Sequence, residues 1–124
     1  MIGYVTLGTN NFEKAADFYD SLLGSMGAGR FLEGDSFIAW AVSPEQPALS
    51  IIKPYDGEEA SMGNGVMVAL NVDSPEKVDE LYNQAIALGA TNEGKPGIRG
   101  DGGIYAGYFR DLDGNKLNFF CMPS

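Results

Sequence analysis

The stretch Tyr108-Phe-Arg-Asp-Leu-Asp-Gly-Asn-Lys-Leu-Asn-Phe-Phe-Cys121 decides how the rest of the chain is interpreted. Two short apolar and aromatic segments flank its centre, residues 111–115, where Asp, Gly and Asn favour a tight turn. The stretch therefore predicts a β-hairpin, and the strand period of two puts alternate cross-strand pairs on one face. The pairs predicted to share that face are Arg110 with Lys116, Tyr108 with Asn118, and Ala106 with Phe120.

Composition limits the classes of function. The 124 residues suffice for one domain with its own core, predicted over residues 1–124. The net charge of −9 disfavours nucleic acid, because nucleic-acid binding rests on clustered Lys and Arg. No apolar segment approaches the ~20 residues that cross a bilayer, so no membrane partner is predicted. The single cysteine and the absence of a signal-peptide pattern predict a cytoplasmic protein.

The chain contains no histidine. Histidine is the commonest metal ligand and the commonest general base at neutral pH. A Ser-His-Asp or Cys-His site is therefore excluded within one chain, and a zinc site would have to be built from carboxylates and one thiol.

Internal repetition organises the chain. A shift of 63 residues aligns the first strand and helix with a second strand and helix, and a shift of 68 aligns the two hairpins that follow. Such a duplication predicts an α+β fold of two tandem βαβββ modules, with helices outside two cupped mixed sheets and a cavity between the sheets. Module one covers residues 1–54, a linker 55–65, and module two 66–124. The aligned pairs are Tyr4/Met67, Tyr19/Tyr82, Trp40/Tyr108, Leu49/Leu117 and Ser50/Asn118.

Local signals place both helices. Asn10 or Asn11 can cap a helix over 12–24, and Ser74 followed by Pro75 starts the second helix. In module two the pattern predicts a short strand over 90–93. The segment 94–103 contains five glycines in ten residues and is predicted to be a mobile loop.

Six segments carry a resemblance to a known family: residues 2–8, 12–24, 53–57, 63–65, 94–97 and 110–115. Together with the duplicated βαβββ unit they resemble the vicinal oxygen chelate superfamily, which includes glyoxalase I, extradiol dioxygenases, and the fosfomycin and bleomycin resistance proteins. The resemblance covers nearly the whole chain and is strongest to bacterial glyoxalase-like proteins. It implies the fold, but not the activity, because one fold hosts many functions.

Metalloenzymes of that superfamily take metal ligands from four strands. The resemblance places the four ligand positions at Tyr4, Ser50, Met67 and Asn118. None of these side chains is a good ligand for a hard or borderline divalent metal. The expectation is therefore a protein with no metal and no cofactor. Whether the chain is an enzyme stays open, because a glyoxalase-type isomerisation needs both a metal and a carboxylate at the site.

Same-face alternation predicts an aromatic, uncharged cavity. Trp40 and Tyr108 are repeat mates and are predicted to face each other as a stacking clamp. Arg99, in the glycine-rich segment, could close over an anionic group, or could simply be a solvated loop residue. The alternative for the whole set is that it fills the core. The predicted ligand-binding residues are Tyr4, Thr6, Trp40, Ser50, Ile52, Met67, Tyr108, Asn118, Phe120 and Arg99.

Three hypotheses of function follow. The first is a metal-free protein, similar to bleomycin resistance proteins, that binds a small molecule. The second is a lactoylglutathione-lyase-like enzyme with an altered mechanism. The third is a non-catalytic assembly module. The resemblance also implies a homodimer, for which the exposed edges of an open sheet give a physical motive.

Overall fold

The structure, a computed structural model, describes residues 1–123. Ser124, the last residue of the predicted second module, lies outside the described residues. Within 1–123 the chain forms two helices and eight strands, which make two compact units, one over Met1–Met62 and one that begins at Gly63. Each unit repeats the order strand, helix, three strands, so the predicted α+β fold of two tandem βαβββ modules is confirmed.

Unit 1 contains one four-stranded sheet and one helix. The sheet order is β1-β4-β3-β2, with β1 and β4 parallel and the other neighbours antiparallel. The side chain of Asn11, one of the two predicted candidates, caps the helix by accepting a hydrogen bond from the Lys14 backbone N–H at 3.2 Å. The elements are β1 (Tyr4–Gly8), α1 (Phe12–Gly24), β2 (Gly29–Glu33), β3 (Phe37–Ala41) and β4 (Ala48–Ile52).

Unit 2 has the same topology, with sheet order β5-β8-β7-β6. Its helix begins as predicted, because Ser74 accepts from the Lys77 backbone N–H at 3.1 Å and Pro75 occupies the first turn. The helices of the two units are both 13 residues long and start 63 residues apart. The elements are β5 (Val68–Asn71), α2 (Pro75–Ala87), β6 (Thr91–Arg99), β7 (Ile104–Arg110) and β8 (Lys116–Cys121).

The hairpin of β7 and β8 has the predicted register. Its turn is stabilised by Asp111, whose Oδ1 accepts from the backbone N–H groups of Asp113 and Asn115 at 2.9 Å each. The pairs Arg110 with Lys116, Tyr108 with Asn118, and Ala106 with Phe120 are all present.

The predicted mobile loop over 94–103 is wrong for its first six residues. They belong to β6, which pairs with β7 from Thr91 to Arg99. The register shifts on either side of Gly94, and Pro96 is tolerated because β6 is an edge strand. In the sequence, the glycines and the proline indicated a loop. In the structure they lie at irregularities of a strand that is paired with β7.

Each sheet has one face covered by the helix of its own unit, here called the helix face, and an opposite open face. On unit 1 the helix face presents the buried residues Leu7, Ile38 and Ile51 toward α1. On unit 2 the corresponding face carries Phe109, Leu117 and Phe119, all fully buried. Neither helix of the described chain is long and apolar enough to cross a membrane.

Candidate functional site

A pocket of about 440 Å³ lies on the open face of unit 1. All four strands contribute to it. Tyr4, at its edge, is 70% exposed although its side chain is large and aromatic, and Phe31 is 47% exposed. Concave surfaces of this size with exposed aromatic side chains are typical of ligand sites.

Two neighbouring hydroxyl groups belong to the polar part of the pocket lining, which also includes Gln46 and Tyr4. Thr6 on β1 and Ser50 on β4 are directly paired, and their hydroxyl oxygens lie 2.8 Å apart. The Ser50 hydroxyl donates to the backbone carbonyl of Val5 at 3.2 Å, so its proton is committed to the protein. The pair is therefore satisfied internally and can still accept a hydrogen bond from a ligand.

The structure brings four of the predicted residues together in this pocket: Tyr4, Thr6, Ser50 and Ile52. Sequence reasoning missed the contribution of β2 and β3. On β2 a register shift between Arg30 and Leu32 lets two successive residues, Phe31 and Leu32, line the pocket. On β3 the alternation that buries Ile38 could have identified Phe37 and Ala39 as open-face residues.

The prediction that Trp40 lines the cavity is wrong. Its side chain is 2% exposed on the helix face, and its ring centroid lies 5.6 Å from that of Tyr19 on α1. The cause is a difference of one residue between the repeats. The shift of 68 holds for β4 and β8, but the pairing of Ala39 with Ser50 matches that of Tyr108 with Asn118, which requires 69 for β3 and β7.

A slip of one residue moves a side chain to the other face of a sheet. The counterpart of Trp40 is therefore Phe109, which is fully buried and stacks on Phe119. Trp40 is enclosed by α1, and the predicted clamp between Trp40 and Tyr108 is also wrong.

Trp40 instead helps to anchor α1. Its indole N–H donates to Asp20 at 2.8 Å, and Arg30 donates to both oxygens of the same carboxylate at 3.0 and 2.8 Å. The hydrogen bond from Arg30 is the main reason that the pKa of Asp20 lies below its ordinary value, and Trp40 adds to this effect while partial burial opposes it.

The open face of unit 2 carries the other predicted residues, except that Met67 lies one residue before β5 and is exposed. Tyr108 and Asn118 are direct partners across β7 and β8. The guanidinium carbon of Arg99 lies 5.4 Å from the Tyr108 ring centroid, and the ammonium of Lys116 lies 5.5 Å from it. Both distances are within the range of cation–π contacts. Phe120 follows two residues after Asn118 on the same face.

The four positions at which the superfamily's metalloenzymes hold their metal do not fit a metal ion here. Ser50 is hydrogen-bonded to its neighbours, and the side chains of Asn118, Met67 and Tyr4 are weak donors for hard or borderline divalent ions. No three His, Cys, Asp or Glu side chains in residues 1–123 are grouped so that they could hold a metal. The donor set therefore does not support metal-assisted chemistry at these positions.

Comparison with known proteins places the chain in a family. The family profile described as the Glyoxalase/Bleomycin resistance protein/Dioxygenase superfamily matches residues 1–119. A crystal structure of a glyoxalase/bleomycin resistance protein from Albidiferax ferrireducens T118 is similar, with a TM-score of 0.90, 35% sequence identity and 99% coverage of both chains. None of the curated proteins matches the chain.

More distant structures share the fold. A glyoxalase/bleomycin resistance protein/dioxygenase family enzyme from Burkholderia phytofirmans PsJN has a TM-score of 0.79 at 19% identity, with 98% of both chains covered. A lactoylglutathione lyase from Agrobacterium tumefaciens has a TM-score of 0.72 at 20% identity, with 98% of this chain and 92% of that chain covered. The profile match over nearly the whole sequence and the 35% identical structure establish that the chain belongs to the glyoxalase/bleomycin resistance protein/dioxygenase superfamily.

Proposed function

We propose that the protein binds an uncharged, largely apolar small molecule in the open-face pocket of unit 1, without a metal ion. The observation that carries the proposal is the pocket itself, about 440 Å³ in volume and lined by Tyr4, Phe31 and Phe37 around the Thr6–Ser50 hydroxyl pair. The aromatic walls supply apolar contact area, and the hydroxyl pair supplies a hydrogen-bond acceptor that orients the ligand.

The proposal omits catalysis for a chemical reason. Neither Thr6 nor Ser50 lies beside a base, because the Ser50 proton goes to a backbone carbonyl and the chain has no histidine. A hydroxyl without an adjacent base is a weak nucleophile. The residues therefore suit binding better than covalent or acid–base chemistry.

The experiment is a titration with p-cresol and with toluene, followed by NMR of the alanine methyl groups. We expect p-cresol to shift the Ala39 and Ala48 methyl signals, because both residues line the pocket. Toluene, which lacks the hydroxyl, should bind several-fold more weakly because it cannot donate to the hydroxyl pair. Equal binding of the two probes, or no shift at these alanines, contradicts the proposal.

A blocking variant supplies the control. Ala39→Leu extends a side chain into the pocket and should abolish the p-cresol shifts, whereas Ala41→Leu, the same change two residues along β3 and outside the pocket lining, should not. Melting curves with Mn²⁺, Ni²⁺ and Zn²⁺ after chelator treatment form a second arm, since a ligand of the native state raises the melting temperature. Stabilisation by these metals with no response to p-cresol would refute the metal-free proposal.

The predicted homodimer remains part of the proposal. All five residues of the edge strand β2 are exposed, including the apolar Phe31 and Leu32. Apolar groups on an open edge favour association. Sedimentation of the wild type and of Leu32→Ser tests it: we expect a dimer that weakens in the variant, and a wild-type monomer at all concentrations would contradict it.

A further inference from the structure

The sheet of unit 1 ends at a strand whose outer edge is open. Strand β2 pairs with β3 on one side, and no other strand of residues 1–123 pairs with it. All five of its residues are exposed, including the apolar Phe31 and Leu32. The backbone N–H and C=O groups on such an edge favour pairing with a strand of another molecule.

The register shift within β2 gives its side chains a symmetric order. The two charged residues, Arg30 and Glu33, pair with Trp40 and Ile38 of β3 and therefore belong to the helix face. The two residues between them line the pocket and belong to the open face. Read from either end, residues 30–33 follow the order helix face, open face, open face, helix face.

This order allows two copies of β2 to pair antiparallel with both faces matched. Arg30 of each copy then lies opposite Glu33 of the other, and Phe31 lies opposite Leu32. A slip of one residue in either direction places an open-face residue opposite a helix-face residue. Bulges commonly discourage pairing at an edge, whereas here the shift makes the two faces agree. Because two-fold symmetry repeats each contact, the register supplies two Arg–Glu pairs and two apolar pairs.

The charges on β2 favour a second copy as the partner. Two chains of net charge −9 repel each other, so their association requires a local attraction. Arg30 is held in place by Asp20, to which it donates two hydrogen bonds at 3.0 and 2.8 Å. Glu33 lies 3.3 Å from Arg30 of its own chain, and its side chain is 59% exposed. Its carboxylate is therefore accessible to the guanidinium of a second copy.

We propose that two copies of the protein join antiparallel through their β2 strands, with Arg30 opposite Glu33 and Phe31 opposite Leu32. The sheets of unit 1 then form one continuous sheet, with both α1 helices on one side and both pockets on the other. Phe31 and Leu32 line the pocket, so each copy places an apolar residue beside the pocket of the other. The inference rests on the homodimer of the proposed function and assigns its surface and register. Few residues meet, so the dimer dissociates on dilution.

The register is tested by sedimentation of the intact protein and of two variants. Phe31→Lys and Leu32→Glu each place a charge opposite an apolar residue and should raise the dimer dissociation constant at least tenfold. In an equimolar mixture the two introduced charges lie opposite each other. A heterodimer should therefore form at concentrations at which each variant alone is a monomer. A mixture that stays monomeric overturns the register, and unchanged dimerisation of both variants overturns the surface.

A matched pair of charge reversals tests the Arg–Glu contact. Glu33→Lys places two positive charges opposite each other twice in the dimer and should weaken it about tenfold. Glu45→Lys makes the same change in the turn between β3 and β4, at another exposed residue, and should not weaken the dimer. Equal weakening by the two variants would show that the interface does not lie at β2.

Melting temperatures and the p-cresol titration separate the dimer from folding and from ligand binding. All four substitutions are at exposed positions, so we expect the variants to melt close to the wild-type temperature. Glu33 does not line the pocket, and Glu33→Lys should keep the p-cresol shifts at Ala39 and Ala48. A wild type that binds p-cresol but stays monomeric overturns the dimer alone. A wild type that dimerises in this register without binding p-cresol supports the dimer and refutes only the ligand.

Discussion

The open faces of the two units differ along one row of three paired positions. In unit 1 the row is Thr6, Ser50 and Ala39, and in unit 2 it is Ala69, Asn118 and Tyr108. The first row satisfies its own hydrogen bonds and ends in a small residue, which leaves space for the pocket. The second row has an unpaired acceptor and ends in a ring flanked by two cations.

The two units therefore place different side chains on their open faces although they share one topology. The helix faces of the two units keep the same apolar character, because they support folding. An unpaired buried acceptor reduces stability, and such losses are characteristic of residues kept for function.

The largest predicted effect tests the alignment of the two rows. Trp40→Ala and Phe109→Ala should each lower the free energy of unfolding by about 3–5 kcal/mol, because both side chains are buried on helix faces. Tyr4→Ala, at an exposed position, should change it by about 0.5 kcal/mol or less. Urea denaturation measures all three. If the effect of Trp40→Ala were as small as that of Tyr4→Ala, the result would show that Trp40 lies on the open face.

The second prediction contrasts the polar centres of the two rows. Ser50→Ala should destabilise the protein by about 1 kcal/mol, because it removes the hydrogen bonds that the Ser50 hydroxyl makes with Thr6 and with the Val5 carbonyl. Asn118→Leu should stabilise it by about 1 kcal/mol, because the unpaired oxygen is removed. The denaturant midpoints of Ser50→Ala and Asn118→Leu give the sign of each change in stability. Two changes of the same sign would show that the rows do not differ as described.

The smallest effect concerns the pH dependence of the helix attachments. The pKa of Asp20 is lowered in the folded state. Its contribution to stability is therefore present above the unfolded pKa and is lost as pH falls through the folded pKa. In unit 2 the hydrogen bond to Asp79 raises the pKa of Tyr105, so that contribution is present below the unfolded pKa and is lost as pH rises through the folded value.

Asp20→Asn should therefore reduce the loss of stability in acid, and Tyr105→Phe the loss in alkali. Each effect should be about 1 kcal/mol or less, because the Asp20–Arg30 pair and Tyr105 are all partly exposed and screened by solvent. Melting temperatures measured from acid to alkaline pH report the loss of stability on the acid side and on the alkaline side. If Asp20→Asn changed the loss of stability at alkaline pH, the attribution of the acid effect to Asp20 would be contradicted.

The sequence was sufficient for features that rest on local chemistry or on whole strands. The hairpin register followed from the Asp111–Asn115 turn, and the second helix cap from Ser74. The first cap was predicted at Asn10 or Asn11, and the structure shows that it is Asn11. The repeat shifts of 63 and 68 were correct for β1 with β5 and for β4 with β8.

Other features depended on single-residue spacing or on tertiary pairing. Trp40 was assigned to the wrong face because β3 and β7 align with a shift of 69 residues. The sequence repeat indicates a shift of 68. The glycines of 94–99 suggested a loop because their pairing with β7 is not a local property. The unpaired state of the Asn118 oxygen depends on Ala69, which carries no signal of its own in the sequence.

The most direct test of the account converts the row of unit 2 into that of unit 1. Ala69→Thr adds a hydroxyl opposite Asn118, and Ala69→Val adds the same volume without a hydrogen-bond donor. The measurement is the melting temperature of the two variants. The account predicts that Ala69→Thr melts higher than Ala69→Val, because the added hydroxyl donates a hydrogen bond to the unpaired Asn118 oxygen. Equal melting temperatures in the two variants would contradict it.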